Sequence, residues 1–452
     1  MRFKYFSIAL LAVCAILPAR ADNPLNIEGG DATEVGILIT EIETGKVIAD
    51  INSQVALTPA SVMKTVTTAS ALSMLGTDYT FKTRVSLEGN RSSAKRDRWE
   101  GNLIIDASGD PTLGSNEFKQ YLGFSDSIIA HVRKLGISEI SGTVVIREDM
   151  PGAGAIPQWE CEDIAWPYGA GIYDFNWAGN YVRVYPATGK TIPASDLKVT
   201  VKTSSDGSTD LQRGINSENL TVWASKKNAS NQKWNVNASV PNPAEIYASM
   251  LKSRLNSSGI KVGSRKAATA PKAEQTAVYT HRSPSLAAIC RTLMKKSDNL
   301  FAEGVLRAIR PGESRSKCVK AEKEYWTDKG VQAKYTIIND GSGLTRANRF
   351  SPRFITDILL LMDQSDVRKS FVECFPIAGV DGTLKSFLKD TPLQGRLVMK
   401  TGSVSSVQAY AGYLLDVKGN PTHTVVVMVN GFFCPRRDLR SKIEDFLLEK
   451  LN

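Results

Sequence analysis

The sequence predicts a layered α/β fold, an antiparallel sheet flanked by helices, interrupted by a mostly β insert of one or two small domains. Three observations predict it. Apolar and polar residues alternate in a stretch near the N-terminus and in three runs near the C-terminus, the period-2 signature of strands. Helical stretches rich in Ala, Val and Leu follow Pro59 and again Ser283-Pro284. Between about residue 86 and residue 275 the texture changes to short β-like pieces separated by loops rich in Ser, Asn and Gly.

The elements follow in chain order. Arg2 and Lys4 precede an apolar run from Phe6 to Leu17, and Ala19-Arg20-Ala21 is a small-x-small cleavage site, so residues 1–21 have the anatomy of a secretory signal peptide. Cys14 fits a lipoprotein signal poorly because Val13 stands directly before it. No later segment reaches the eighteen or more apolar residues of a membrane span, so no transmembrane segment is expected after cleavage. "GILITEIETGKVIADIN" (36–52) alternates about Thr44-Gly45 and predicts a hairpin. A helix is expected after Pro59. The insert contributes "GNLIIDASGD", "GTVVIRED", "NYVRVYPA" and "LKVTVKT" as strand-like pieces, and residues 204–240 are its most polar part. From Ser283-Pro284, a cap and first helical residue, "SPSLAAICRTLMKKSDNLFAEGVLRAI" predicts helix, as does "SPRFITDILLLMDQ" with Ser351 as cap. Three strands then follow, "GRLVMKTG", "VQAYAGYLLDV" and "THTVVVMVNGF", and a last helix places Leu439, Ile443, Phe446, Leu447 and Leu451 on one face, against the sheet. The chain is too long for one core. Residues 22–85 and 276–452 are therefore read as one unit, and 86–275 as its insert.

The net charge of +10, from 56 basic and 46 acidic residues, is spread along the chain. It suits an anionic envelope polymer, and no basic tract interleaved with aromatics points to nucleic acid. Beyond the leader the cysteines are Cys161, Cys290, Cys318, Cys374 and Cys434; an exported protein can pair some as disulfides, and none has metal-ligand spacing. No metal or other cofactor is called for. The three histidines, His131, His281 and His423, lie beside no candidate nucleophile in sequence. That leaves a distant Ser-His-Asp arrangement open but makes a lysine base the first scheme to test.

Ser61 and Lys64, in "TPASVMKTVTTASAL", form such a scheme. The spacing alone is weak, because Ser-x-x-Lys recurs at Ser92, Ser195, Ser230, Ser249, Ser258, Ser314 and Ser386. Two rarer tripeptides follow in order, Ser297-Asp298-Asn299 on a loop and Lys400-Thr401-Gly402 at a strand end. A serine hydroxyl needs a base to become a nucleophile. Lys64 lies one helical turn from Ser61, on the same face. Burial and a second cation, Lys400, would lower Lys64 from its ordinary value toward a working base. Ser297 can stand between the two lysines and pass a proton to the leaving amine, and Asn299 can orient Lys64 and the substrate. The amides of Ser61 and Ser403 can form an oxyanion hole. Lys400 and Thr401 can bind a carboxylate.

These three motifs, in this order, are the signature of serine β-lactamases and penicillin-binding proteins. About half the chain separates Ser61 from Ser297. With "ASGDPTLGS" (107–115), "DGSGLTRANR" (340–349) and "FPIAGVDGTL" (375–384), the chain resembles the low-molecular-mass class C penicillin-binding proteins, the D-alanyl-D-alanine carboxypeptidases/endopeptidases. The resemblance covers essentially the whole mature chain and is weakest between about 180 and 270. It implies a transpeptidase-like domain with domains inserted between its first two motifs, acylation of the serine by β-lactams as inhibitors, and cleavage of peptidoglycan stem peptides. Terminal D-Ala-D-Ala bonds and meso-diaminopimelate cross-links are the bonds implied, in a periplasm. It also implies that Val404 and Ser405, just after the third motif, line the pocket for diaminopimelate; Gly402 and Ser403 are expected to bind substrate beside them. An aspartate in "WECEDIAWPYGA" (159–170), carried to Asp163 with Glu162 as neighbour, and Arg346 would bind the free end of diaminopimelate. Cys161 beside that loop departs from the family. A β-lactamase or esterase on the same scaffold, and a non-catalytic peptidoglycan-binding protein, are the alternatives that product analysis separates.

Overall fold

The structure, a computed structural model, describes Leu25, Ile27 and residues 33–267 and 275–452. The expected signal peptide and Cys14 lie outside the described residues. The central sheet has five strands in the order Leu397–Val404, Val407–Leu415, Pro421–Asn430, Glu34–Glu41 and Val47–Ile51. Every neighbouring pair is antiparallel. The N-terminal hairpin joins the C-terminal strands through Glu34–Glu41, with Ile37 opposite Val427.

Alternation along the strand Pro421–Asn430 divides the interior in two. Val425, Val427 and Val429 face one core, with Leu439, Ile443, Phe446 and Leu447 of the terminal helix Arg436–Leu451. Val426 and Met428 face the other, with helices Met63–Leu75, Leu286–Lys296, Asn299–Ala308 and Pro352–Asp363. With both faces covered, the strand is apolar at every position from Val425 to Val429, each side chain worth about 1.5–3 kcal/mol when fully buried. The helix Met63–Leu75 is enclosed by this second core, and all residues from Met63 to Leu72 are buried. Its polar positions are therefore interior groups, and Thr67 and Ser70 donate to the carbonyls of Gly341 and Val66.

The run expected to begin at Ser283-Pro284 differs from the sequence reading in its cap, and the loop expected at Ser297-Asp298-Asn299 divides it. The cap is Ser285, whose hydroxyl accepts from the Ala288 amide; the Ser283 hydroxyl is already used, accepting from the Phe81 amide and donating to the Pro284 carbonyl. The run is also two helices, Leu286–Lys296 and Asn299–Ala308, broken where Ser297 adopts a left-handed φ of 59°.

Residues 82–282 build separate layers. Strands Lys82–Arg91 and Gln275–Arg282 pair antiparallel, so the chain enters and leaves side by side. They belong to a six-stranded mixed sheet covered by helices Phe124–Lys134 and Pro243–Ser257. Two three-stranded sheets share a smaller core around Val184, Leu211 and Val222. The five described cysteines are free thiols, three of them buried. Among the described residues no helix is long and apolar enough to cross a membrane.

Candidate active site

Ser61 sits in a single 3-10 turn, Ala60–Val62, that leads directly into the helix Met63–Leu75. Ala60 takes φ 46°, a strained value for a residue with a Cβ, and turns the chain so that Ser61 meets the edge strand of the sheet. That strand comes close because Gly402 has no side chain: a Cβ there would lie 2.4 Å from the Pro59 carbonyl oxygen and 3.1 Å from the Ser61 amide nitrogen.

Lys64 is fully buried and joins two of the three motifs. Its Nζ donates to Ser61 Oγ at 2.9 Å, Asn299 Oδ1 at 2.6 Å and the Ser342 carbonyl at 2.5 Å. Lys400, also buried, donates to Ser297 Oγ at 3.0 Å and to the Thr401 carbonyl. The helix break at Ser297 presents this hydroxyl, and Asp298 then caps the next helix by accepting from the Phe301 amide.

Burial pushes Lys64 down to about 8, while Asp340, Glu303 and Asp298 work against that fall. Burial, with Lys64 as second cause, pushes Lys400 well below an ordinary lysine. Repulsion between two cations is mutual, so Lys400 in turn disfavours the ammonium form of Lys64.

Around this centre, Thr401 Oγ1 is hydrogen-bonded to Thr383 Oγ1 at 2.8 Å, and Ser403 Oγ donates to Gln408 Oε1 at 2.8 Å. Arg436 donates to the same Gln408 oxygen at 2.7 Å. A cleft of about 350 Å³ opens over Ser61, Ser297, Thr401, Ser403, Gln408 and Arg436.

The loop carrying Asp163 reaches this centre. Asn299 Nδ2 donates to the Tyr168 carbonyl at 2.8 Å, Trp159 Nε1 to Asp340 Oδ2 at 2.9 Å, and Thr345 Oγ1 to the Gln158 carbonyl at 3.0 Å. Tyr168 donates its hydroxyl to Asp163 at 3.0 Å. Burial is the main cause that raises Asp163, and Arg346 works the other way. Arg346 donates to the Ser405 carbonyl at 3.2 Å; its ion-pair partner is Glu160, at 3.8 Å.

The structure thus brings Ser61, Lys64, Ser297, Asn299, Lys400, Thr401, Gly402 and Ser403 into one cleft, with Asp163, Arg346 and Ser405 at its side. Sequence reasoning did not single out Glu303, Asp340, Thr383, Gln408, Arg436 or Glu160. Asp340 and Thr383 lie inside blocks that stood out, and Glu303 shares a helix face with Asn299, four residues earlier. Gln408 and Arg436 carried no local signal.

Residues 25–447 match the model of the D-Ala-D-Ala carboxypeptidase 3 (S13) family. A D-alanyl-D-alanine carboxypeptidase, DacB, of Haemophilus influenzae is 26% identical across 96% of this chain and 93% of its own length. The crystal structure of penicillin binding protein 4 from Haemophilus influenzae is similar in fold, with a TM-score of 0.77 at 23% identity over 94% of this chain and 97% of that one. The same protein complexed with a β-lactam gives a TM-score of 0.73 at 24% identity over the same shares. A predatory peptidoglycan endopeptidase of Bdellovibrio bacteriovorus has a TM-score of 0.52 at 15% identity, over 92% of each chain.

Proposed function

This chain belongs to the D-Ala-D-Ala carboxypeptidase 3 (S13) family and is a serine-type carboxypeptidase acting on peptidoglycan, and we propose that it works through an acyl-enzyme on Ser61. The observation that carries the proposal is Lys64 Nζ, hydrogen-bonded at once to Ser61 Oγ and to Asn299 Oδ1. Neutral Lys64 takes the Ser61 proton as Oγ attacks the carbonyl carbon of the penultimate D-alanine. The amides of Ser61 and Ser403 hold the oxyanion, and the dipole at the start of the helix Met63–Leu75 adds to them. The amide bond breaks as the leaving amine receives a proton by way of Ser297, bonded to Lys400. Water then hydrolyses the ester. Thr401 and Ser403 face the terminal carboxylate, with Arg436 behind Gln408 supplying positive charge. β-Lactams acylate the same serine, and we assign the catalytic unit to residues 22–85 and 276–452, less the strand residues 82–85 and 276–282 that pair within the six-stranded sheet.

The finer reading is a D,D-endopeptidase activity on meso-diaminopimelate cross-links, by an exported, periplasmic protein freed of residues 1–21. Asp163 and Arg346 offer an acid and a base to the zwitterionic end of such a side chain. Asp163→Asn and Arg346→Ala are expected to lower kcat/KM for diaminopimelate peptides about tenfold more than for simple D-Ala-D-Ala peptides, the size of one lost charge-assisted hydrogen bond. Equal losses on both substrates would remove this pocket.

The central experiment treats the protein with penicillin and with monomeric and cross-linked muropeptides, followed by mass spectrometry. The expected results are an adduct on the peptide bearing Ser61 and release of D-alanine. Absence of the adduct would sink the mechanism. Rapid penicillin turnover without D-alanine would indicate a β-lactamase.

A further inference from the structure

We propose that Glu303 is a positioning residue for Lys64: it grips the Gly341–Ser342 backbone so that the Ser342 carbonyl aims the amine at Ser61. The proposal rests on Lys64 being the base. Glu303 lies in the helix Asn299–Ala308, fully buried, one turn after Asn299. Its Oε1 accepts from two successive amides, Gly341 at 3.0 Å and Ser342 at 2.8 Å. The carbonyls of the same two residues point the other way, onto the serine's helix: Gly341 O accepts from Thr67 Oγ1 at 2.8 Å and Ser342 O from Lys64 Nζ at 2.5 Å. The segment is thus clamped between two helices, amides to the acid and carbonyls to the lysine's face. It also sits flush on its support, because a Cβ on Gly341 would lie 2.9 Å from Leu306 Cβ and 3.0 Å from the Ala302 carbonyl oxygen.

Among the described residues the second oxygen, Oε2, is buried without a hydrogen-bond partner. Holding two amides does not require a charge, and burying a carboxyl with an unused oxygen is costly. A charge is useful here because Lys64, fully buried, becomes an ammonium when it takes the Ser61 proton. The groups facing Lys64 are Asp340, Glu303 and Asp298, with Lys400 as the opposing cation. Glu303 in turn faces Asp340, Glu322 and Lys64, with Arg315 on the offsetting side. Burial, then Asp340, push Glu303 up to about 7, so its charge varies within the working pH range. Glu303 touches neither substrate nor reacting atoms; it acts through the Ser342 carbonyl and through its field.

The test measures the acylation rate constant and the non-covalent penicillin affinity separately, from pH 6 to 10, for wild type, E303A, E303Q, E303D and Lys64→Ala. E303A loses grip and charge, and its limiting acylation rate is expected to fall about 50-fold at unchanged affinity, as for a base misplaced by under an ångström. E303Q keeps an oxygen for both amides; it is expected to recover to within about tenfold of wild type. Its acid limb should move to lower pH, because a negative neighbour of Lys64 is lost. E303D keeps the charge on a shorter arm, so it should lose rate with the limb unmoved. Should E303A fail to fold by circular dichroism, E303Q and E303D decide. The inference falls if folded E303A acylates within twofold of wild type, or if the E303Q limb stays in place. Normal acylation by Lys64→Ala would instead overturn the base assignment; an inert Lys64→Ala beside wild-type-like Glu303 variants would overturn this inference alone.

Discussion

Lys64→Ala is expected to slow acylation of Ser61 by penicillin about 10³-fold, within the range for loss of a positioned general base. The argument is geometric first. Ser61 Oγ has Lys64 as its hydrogen-bonding side chain, at 2.9 Å, whereas buried His281 faces Asp110 at 3.8 Å. The energetic part follows from burial. An amine held down to about 8 is neutral in roughly one molecule in ten at pH 7, against about one in 10³ for an ordinary lysine. Wild-type acylation should therefore fall about tenfold per pH unit below about 8, a limb that Lys64→Ala should lack. Folding is expected to survive the change, because it also removes a charge whose burial is unfavourable. Stopped-flow labelling with a fluorescent penicillin reads the rate and a thermal melt reads the fold. A variant that acylates within tenfold of wild type refutes the base.

Gly402→Ala is the second large effect. The new methyl would meet the Pro59 carbonyl oxygen at 2.4 Å, and backbone on both sides leaves no flexible side chain to move aside. The edge strand must then retreat from the Ser61 turn by something near an ångström. Overpacking of this kind costs about 1–3 kcal/mol. The rate penalty should be larger in proportion, about 10²-fold, because the Ser403 amide retreats from the developing oxyanion. Single-turnover acylation should fall while the melting temperature drops only a few degrees. Wild-type acylation in this variant would mean that the strand's distance from Ser61 is not set by Gly402.

Much of this was legible because the signals are local. The hairpin around Gly45, the capping serine before Pro352 and the apolar face from Leu439 to Leu451 each announce themselves within one element. The three motifs are also short, so their residue types could be matched to chemistry before their meeting in space was known. The loop at Ser297-Asp298-Asn299 was legible from its residue types, but the single left-handed residue that makes the break left no mark in the apolar pattern around it. Glu303 and Arg436 were hidden for another reason: their partners are far away in sequence, as Gly341 and Ser342 are from Glu303 and Gln408 is from Arg436. The lysine electrostatics followed the same rule, since Asp340 and Glu303 reach Lys64 only through the fold.

The three hydrogen bonds from the 158–168 loop also bear on how such a protein can be shortened. Trimming away the β-rich layers would leave the indole-bound oxygen of Asp340 with one donor fewer and free the Asn299 amide from the Tyr168 carbonyl. A minimal catalytic unit of this lineage would have to redesign the polar interior behind its lysine rather than simply close a gap in the chain.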